Sequence, residues 1–216
     1  MNYSIIVPAH NEDEFIARGL EAIRQAEVPM GSAVEIIVVL NRCTDRTEEI
    51  ARSFGAKIVR ENARVLSKIR NAGAAAAVHD VIVTIDADSR MSPNMLVEIK
   101  KHLASGRYIG GGAWIDIDRT SVPILLTFYT LRFLLFLTGL SGGLYWCRKK
   151  DFDAIGGFDE RLDVAEDLDF ARRLKKYGRR QNKKLHEIRT ARITTSARKF
   201  DTFGDWYMLR LIYAQM

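Results

Sequence analysis

Four short runs rich in β-branched residues, each followed by a stretch with helical spacing, constrain the fold more tightly than any other feature of this chain. Tyr3 to Val7, Glu35 to Leu40, Lys57 to Arg60 and Val81 to Ile85 read as buried strands, the first stopped by Pro8. After the first, Ile16, Leu20 and Ile23 fall on one helical face, with Asn11 expected as the cap and Glu14 three residues on in a capping-box relation. After the second, Thr44 or Asp45 should start a short helix that Gly55 ends in left-handed geometry. Ser67 to Val78 reads as an Ala-rich helix able to approach a sheet closely. Ser92 and Pro93 should open a helix with Leu96, Ile99 and Leu103 on one face. The resulting βαβαβαβα order implies a mostly parallel, doubly wound sheet flanked by helices. Ligands of such sheets collect at the C-terminal ends of the strands. Three polar clusters fall there: Pro8 to Glu12, Asn41 to Asp45 and Asp86 to Ser89.

The last cluster carries the most specific chemistry. The run Val81-Ile82-Val83-Thr84-Ile85 ends in Asp86-Ala87-Asp88. Residues i and i+2 of an extended chain point to the same side, so a strand ending this way presents two carboxylates together. Hard oxygen donors suit Mg²⁺ or Mn²⁺, which complete their shells with water and substrate phosphates. The alternative is that both residues only cap the turn into the next helix.

The second half is less regular. Tyr108 to Ile117 reads as a strand interrupted by Gly110-Gly111-Gly112, and Leu144 to Cys147 as another. Asp151 to Ile155 reads as a short helix broken by Gly156-Gly157, and Glu166 to Tyr177 as a helix closed by Gly178. Arg189 to Thr194 and Thr202 to Ala214 read as a final strand and helix. Ile124 to Leu140 is almost continuously apolar, at the short limit for crossing a bilayer and with Arg132 in its middle. A buried helix fits that pattern, as does one lying at a membrane surface or at an interface with a second copy.

With 216 residues the chain makes one large domain, 1–216, or one domain plus an appendage, with the regular half at 1–105 and the less regular half at 106–216. The net charge of +6 gathers late, in Arg172, Arg173, Lys175, Lys176, Arg179, Arg180, Lys183 and Lys184. Such a cluster serves phosphates or anionic headgroups, or is a solvated helix face. No aromatic interleaving accompanies it, which puts nucleic acid last among partners. Cys43 and Cys147 lack paired metal spacing and fit free thiols in a reducing compartment. The chain opens directly into a strand with no signal-peptide pattern, so a cytoplasmic location is expected, peripheral at the inner face of the membrane if the apolar helix docks there.

The order of motifs resembles the family 2 glycosyltransferases, inverting enzymes of the GT-A fold. The matching segments are Ser4 to Glu12, Ile36 to Thr47, Arg70-Asn71-Ala72-Gly73, Asp86-Ala87-Asp88, Gly156 to Glu160 and Glu166 to Phe170. The resemblance implies transfer of a sugar from a nucleotide-diphosphate sugar to an acceptor hydroxyl, with Mn²⁺ or Mg²⁺ as cofactor. It assigns Pro8, His10, Asn11, Glu12 and Asn41 to the nucleotide, with Arg64, Lys68 and Arg70 as further donor contacts. The family carries an acidic pair where this chain has Leu40-Asn41, and the resemblance favours UDP over GDP. It implies Asp86, Ala87 and Asp88 as the metal and nucleotide corner, Asp88 contacting the ion directly and Asp86 the ribose or a water. Asp167 is implied as the general base, with Glu166 and Asp169 as alternatives, and Glu166 could instead bind acceptor. Gly156 and Gly157 would seat the acceptor or donor sugar, and Arg198 would close over the diphosphate. A lipid-linked acceptor or a cell-envelope glycan fits the apolar and basic segments. Two rival functions are a nucleotidyltransferase, for which Pro8 to Glu12 lacks the Gly-rich loop, and a non-catalytic nucleotide-binding protein, which would need no acceptor-side carboxylate.

Overall fold

The computed structural model describes residues 1–138, 140, 142–162 and 164–214. Position 139, near the end of the expected apolar helix, and the terminal 215–216 lie outside the described residues. The elements are β1 (Tyr3–Ala9), α1 (Ile16–Arg24), β2 (Val34–Leu40), α2 (Thr47–Ser53), β3 (Lys57–Arg60), α3 (Leu66–Ala76), β4 (Val81–Thr84), β5 (Ser89–Met91), α4 (Met95–Ala104) and β6 (Tyr108–Ile117). The remainder are α5 (Val122–Thr138), β7 (Tyr145–Arg148), α6 (Lys149–Ala154), α7 (Glu166–Arg179), β8 (Lys184–Thr195), α8 (Arg198–Phe203) and α9 (Tyr207–Ala214).

The strands form one sheet of eight in the order β3-β2-β1-β4-β7-β6-β8-β5. β3, β2, β1 and β4 are all parallel, as the alternating first half requires. β7 runs antiparallel to both β4 and β6, β8 is parallel to β6, and β5 closes the far edge antiparallel to β8. The sheet must curl. From Thr84 to Ser89 is five residues, a reach of at most about 18 Å, yet β4 and β5 stand four strand spacings apart, about 19 Å on a flat sheet. That curl carries the Asp86–Asp88 segment across the concave side.

Side chains alternate along β1 as a strand demands. Ile5 and Val7 join Ile16, Leu20, Leu96 and Ile99 in one core, while Ile6 joins Ile37, Val39, Phe158 and Phe170 in the other. On that second face the Ala-rich α3 does lie close: a Cβ on Gly73 would come within 2.8 Å of Val39 Cγ2 and collide with Ile6.

Several boundaries differ from the sequence expectations. Pro8 does not stop β1, because β4 pairs only as far as Ile6 and the missing N–H falls beyond its end. α1 starts at Ile16 without a side-chain cap, since Asn11 sits at φ 52° and turns its Oδ1 to the Thr44 N–H instead. α2 has Arg46 at its cap position, with Asp45 Oδ1 accepting from Thr47 N at 3.0 Å; Gly55 ends it at φ 73° as expected. α4 starts at Met95, whose N–H bonds to Ser92 O, so Ser92 and Pro93 form the turn before it. Gly178 lies inside α7 and serves packing, as a Cβ there would meet Ile109 Cγ2 at 2.7 Å. The final strand begins earlier than expected, at Lys184, and the final helix is two helices divided near Gly204 at φ 87°. The apolar α5 is neither wholly buried nor long enough to span: Ile124 is buried, Leu125, Tyr129 and Phe133 are exposed, and no helix among the described residues is long and apolar enough to cross a membrane.

Candidate active site

The loops after β1 and β2 are laced together by short-range chemistry. Glu12 N donates to Thr47 Oγ1 at 2.8 Å, Asp13 N to Asp45 Oδ2 at 3.0 Å and Thr44 N to Asn11 Oδ1 at 2.8 Å. His10 Nδ1 lies 2.5 Å from Asn41 O, leaving the exposed ring standing over the loop. Asn41 is buried and does structural work. Its Nδ2 donates to Glu61 O at 2.5 Å and Ala63 O at 2.7 Å, fastening the loop between β3 and α3. Both amide hydrogens are thereby used, so only the oxygen, which accepts from Arg42 Nε at 3.2 Å, keeps a lone pair for a ligand.

Two arginines organise the carboxylates. Arg70, buried on α3, donates through Nη2 to Asp86 Oδ1 at 3.0 Å and through Nη1 to Glu166 Oε1 at 2.8 Å, with its guanidinium 5.2 Å from the Phe158 ring centre. One cation thus joins the end of β4 to the start of α7. Arg198, at the start of α8, grips Glu12 with two bonds of 2.6 Å, and its Nε lies 3.0 Å from Asp88 Oδ2. Burial pushes the pKa of Glu12 and of Asp88 upward, against the lowering pull of Arg198. The corner therefore places one positive charge between two acidic side chains that water barely reaches.

Among the described residues two cavities meet at Asp86. The first, about 190 Å³, is lined by Pro8, Ala9, His10, Glu12, Asn41, Leu66, Ile69, Asp86, Ala87, Asp88, Arg198 and Lys199. The second, about 450 Å³, opens between β6, β8, α5 and α7 and includes Asp86, Asp167, Leu168, Arg172 and a largely aliphatic wall. Asp167 accepts at Oδ1 from Leu168 N at 2.8 Å, which orients the carboxylate at the helix start and leaves its second oxygen for other work.

The structure thus gathers most of the sequence candidates. Pro8, His10, Glu12, Asn41, Asp86, Ala87, Asp88 and Arg198 surround the first cavity, and Asp167 shares the second with Asp86. Arg70 and Glu166 stand behind, paired to each other. Asn11, Arg64 and Lys68 line neither cavity, the last two being exposed on the approach to α3 and its first turn. Gly156 and Gly157 also line neither. They turn at φ 76° and 64° to bring Phe158 against α3, where Phe158 N donates to Asn71 Oδ1 and Asn71 Nδ2 to Phe158 O, both at 2.9 Å. Lys199 lines the first cavity beside Arg198, and Leu66 and Ile69 are lining residues that the motifs did not single out. The i, i+3 spacing of the last two on one face of α3 is the only local signal for them.

The donor chemistry suits a divalent ion brought in with a diphosphate. Among the described residues no three acidic, His or Cys side chains are grouped to hold a metal alone. Asp88 and Asp86 nevertheless offer hard oxygens beside a cavity, and Asp88 already faces a positive charge.

A family model described as glycosyl transferase family 2 matches residues 4–152. Probable glycosyltransferase YdaM of Bacillus subtilis (strain 168) is 27% identical over 198 residues, covering 81% of this chain and 47% of that protein. The 4,4'-diaponeurosporenoate glycosyltransferase of Staphylococcus aureus is 43% identical over 56 residues, 26% of this chain and 14% of that one. The chain spans less than half the length of these curated relatives. Among solved structures, S. aureus TarS 1-349 in complex with UDP superposes with a TM-score of 0.68 at 18% identity, covering 98% of this chain and 65% of that one. The mannosyltransferase PcManGT from Pyrobaculum calidifontis, in complex with GDP-Man and Mn²⁺, gives 0.67 at 20% identity, covering 89% and 56%. Both likenesses are of fold, the GT-A architecture.

Proposed function

The chain belongs to glycosyl transferase family 2, and from that premise we propose that it transfers a sugar from a nucleotide-diphosphate sugar to an acceptor hydroxyl with inversion at the anomeric carbon. The observation that carries this reading is the pair of cavities meeting at Asp86: one ringed by the β1 and β2 loops, Asp88, Arg198 and Lys199, the other containing Asp167. A donor held in the first would place its sugar at the junction, and an acceptor in the second would approach from the Asp167 side.

In this scheme Asp88, assisted by Asp86, would hold Mn²⁺ or Mg²⁺. When bound, such an ion neutralises the charge that develops on the departing diphosphate. Arg198 and Lys199 add positive charge on the same wall, where charge-assisted hydrogen bonds to phosphate oxygens are strong. Asp167 accepts the proton of the acceptor hydroxyl as its oxygen bonds to the anomeric carbon, while the bond to the diphosphate breaks on the opposite face. Arg70 keeps Asp86 and the start of α7 in fixed relation throughout. The one remaining lone pair of Asn41 fits an accepting contact to a base N–H, which uracil and guanine both offer, and the solved neighbours bind UDP in one case and GDP-Man in the other.

Hydrolysis of a panel of nucleotide-sugars with Mn²⁺ tests the reading, and the absence of turnover on every donor would reject it. Asp167→Asn should retain nucleotide binding and lose transfer by about a hundredfold or more; unchanged turnover would remove Asp167 from the base role. Asp88→Ala should weaken UDP binding with Mn²⁺ far more than without it, read by calorimetry.

A further inference from the structure

We propose that the larger cavity takes an acidic amphiphile as acceptor: an alcohol whose apolar body lodges between α5 and α7 and whose phosphate or carboxylate rests on the basic cleft that opens beside it. Naming this molecule an acceptor rests on the transferase reading; its binding does not. The first observation is the wall. Ile115, Phe128, Leu131, Leu134, Leu168 and Ile193 surround the space next to Asp167 and Asp86. A polyhydroxylated sugar pressed against these side chains would surrender hydrogen bonds to water without replacement. An alkyl or polyenyl body gains about 25 cal/mol for each Å² it removes from water there. The volume of about 450 Å³ is that of a small-ligand pocket.

The second observation is charge. A neighbouring cleft of about 520 Å³ is lined by Arg172, Lys175, Lys176 and Arg179, and it shares Thr138, Leu140 and Arg172 with the apolar cavity. The basic run of α7 is divided by what its members do. Arg173 turns inward to Asp169 at 2.6 Å and to the Gly157 carbonyl, and Lys175 donates to Thr138 O at 2.7 Å. Arg172, Lys176 and Arg179 make no ion pair among the described residues and converge on the cleft. Glu187, the remaining acid on the cavity wall besides Asp86 and Asp167, is engaged by Arg189 at 2.9 Å. An anion on this cleft, attached to an apolar chain in the adjoining cavity, satisfies both surfaces at once. The cavity's outer wall is apolar on its far side as well, where α5 exposes Leu125, Leu126, Tyr129 and Phe133, a surface suited to ligands arriving from an apolar phase.

Calorimetry on the 216-residue chain with decyl phosphate, decanoate, 1-decanol and inorganic phosphate, all below micelle formation, tests the proposal. At least one of the two acids should bind about tenfold or more tightly than either decanol or inorganic phosphate, and the preference between them identifies the acid group. Leu131→Asp on the cavity wall and Arg172→Glu on the exposed rim should each weaken that binding about tenfold or more. Both should leave UDP or GDP binding with Mn²⁺ unchanged. Inorganic phosphate or decanol binding as tightly as the amphiphile, indifference to both substitutions, or no binding of either acid at millimolar concentration would each overturn it. Binding of the acids by a chain that binds no nucleotide would uphold the cavity assignment and defeat the transferase reading separately.

Discussion

Arg70 is the residue whose loss the structure prices most clearly. Its side chain is 6% exposed and its two charge partners differ: Glu166 is 12% exposed and Asp86 49%. Replacing it with Met removes the cation while keeping most of the stem's volume. The Asp86 arm loses little, because water can solvate that carboxylate in compensation. The Glu166 arm is left as a buried, unpaired charge, the situation that costs about 3–5 kcal/mol when one partner of a buried pair is removed. Arg70 Nε is itself buried without a hydrogen-bond partner, so part of that cost is already carried in the native protein, and an expected loss of about 3 kcal/mol follows. Glu166→Leu added to Arg70→Met removes the stranded carboxylate, so the double variant should be more stable than Arg70→Met alone. Urea denaturation with a shared slope reads both differences. A loss below about 1 kcal/mol for Arg70→Met, or a double variant less stable than the single, would refute the account of a buried charge in need of its partner.

Other outcomes follow from the same structure. Gly73→Ala should destabilise by about 1–3 kcal/mol through collision with Ile6 and Val39, although helix propensity alone would favour alanine by about 1 kcal/mol; a stabilised variant in thermal denaturation would show that α3 can shift outward freely. His186 lies against His102 at 4.2 Å and Tyr108 at 4.3 Å between ring centres, and burial lowers its pKa from 6.5 to about 4. The unfolded chain therefore binds the proton more readily than the folded one between those values. Stability is full above pH 6.5 and should fall on acidification towards pH 4 by about 1–2 kcal/mol after discounting partial exposure. His186→Phe should flatten that part of the curve, and an unchanged slope would exclude His186 as its source.

The strand-helix alternation of the first half was legible from residues 3 to 104 because each element carries its own periodicity. β3 fell where expected, and Leu96, Ile99 and Leu103 are buried on one face of α4. The position of Asp86 and Asp88 just beyond β4 was legible for the same reason, since a buried strand followed by carboxylates needs no partner to be recognised. Boundaries were less so. Asn11 looks like a helix cap in isolation, but the neighbouring loop offers it the Thr44 N–H, and that bond exists only once β1 and β2 lie side by side. Gly178 looks like a helix stop until Ile109 is seen occupying the space where a side chain would be.

What sequence determines about this protein is the inventory of local signals: the order of elements, the motif segments and the carboxylates at strand ends, each set by spacing within about ten residues. Tertiary structure alone decided which of these meet. Glu12 and Arg198 are 186 positions apart and Arg70 and Glu166 are 96, and no periodicity encodes either pair. They are joined because the sheet curls and brings α7 and α8 back over the ends of β1 and β4, where buried charges of opposite sign must find one another or remain unsolvated.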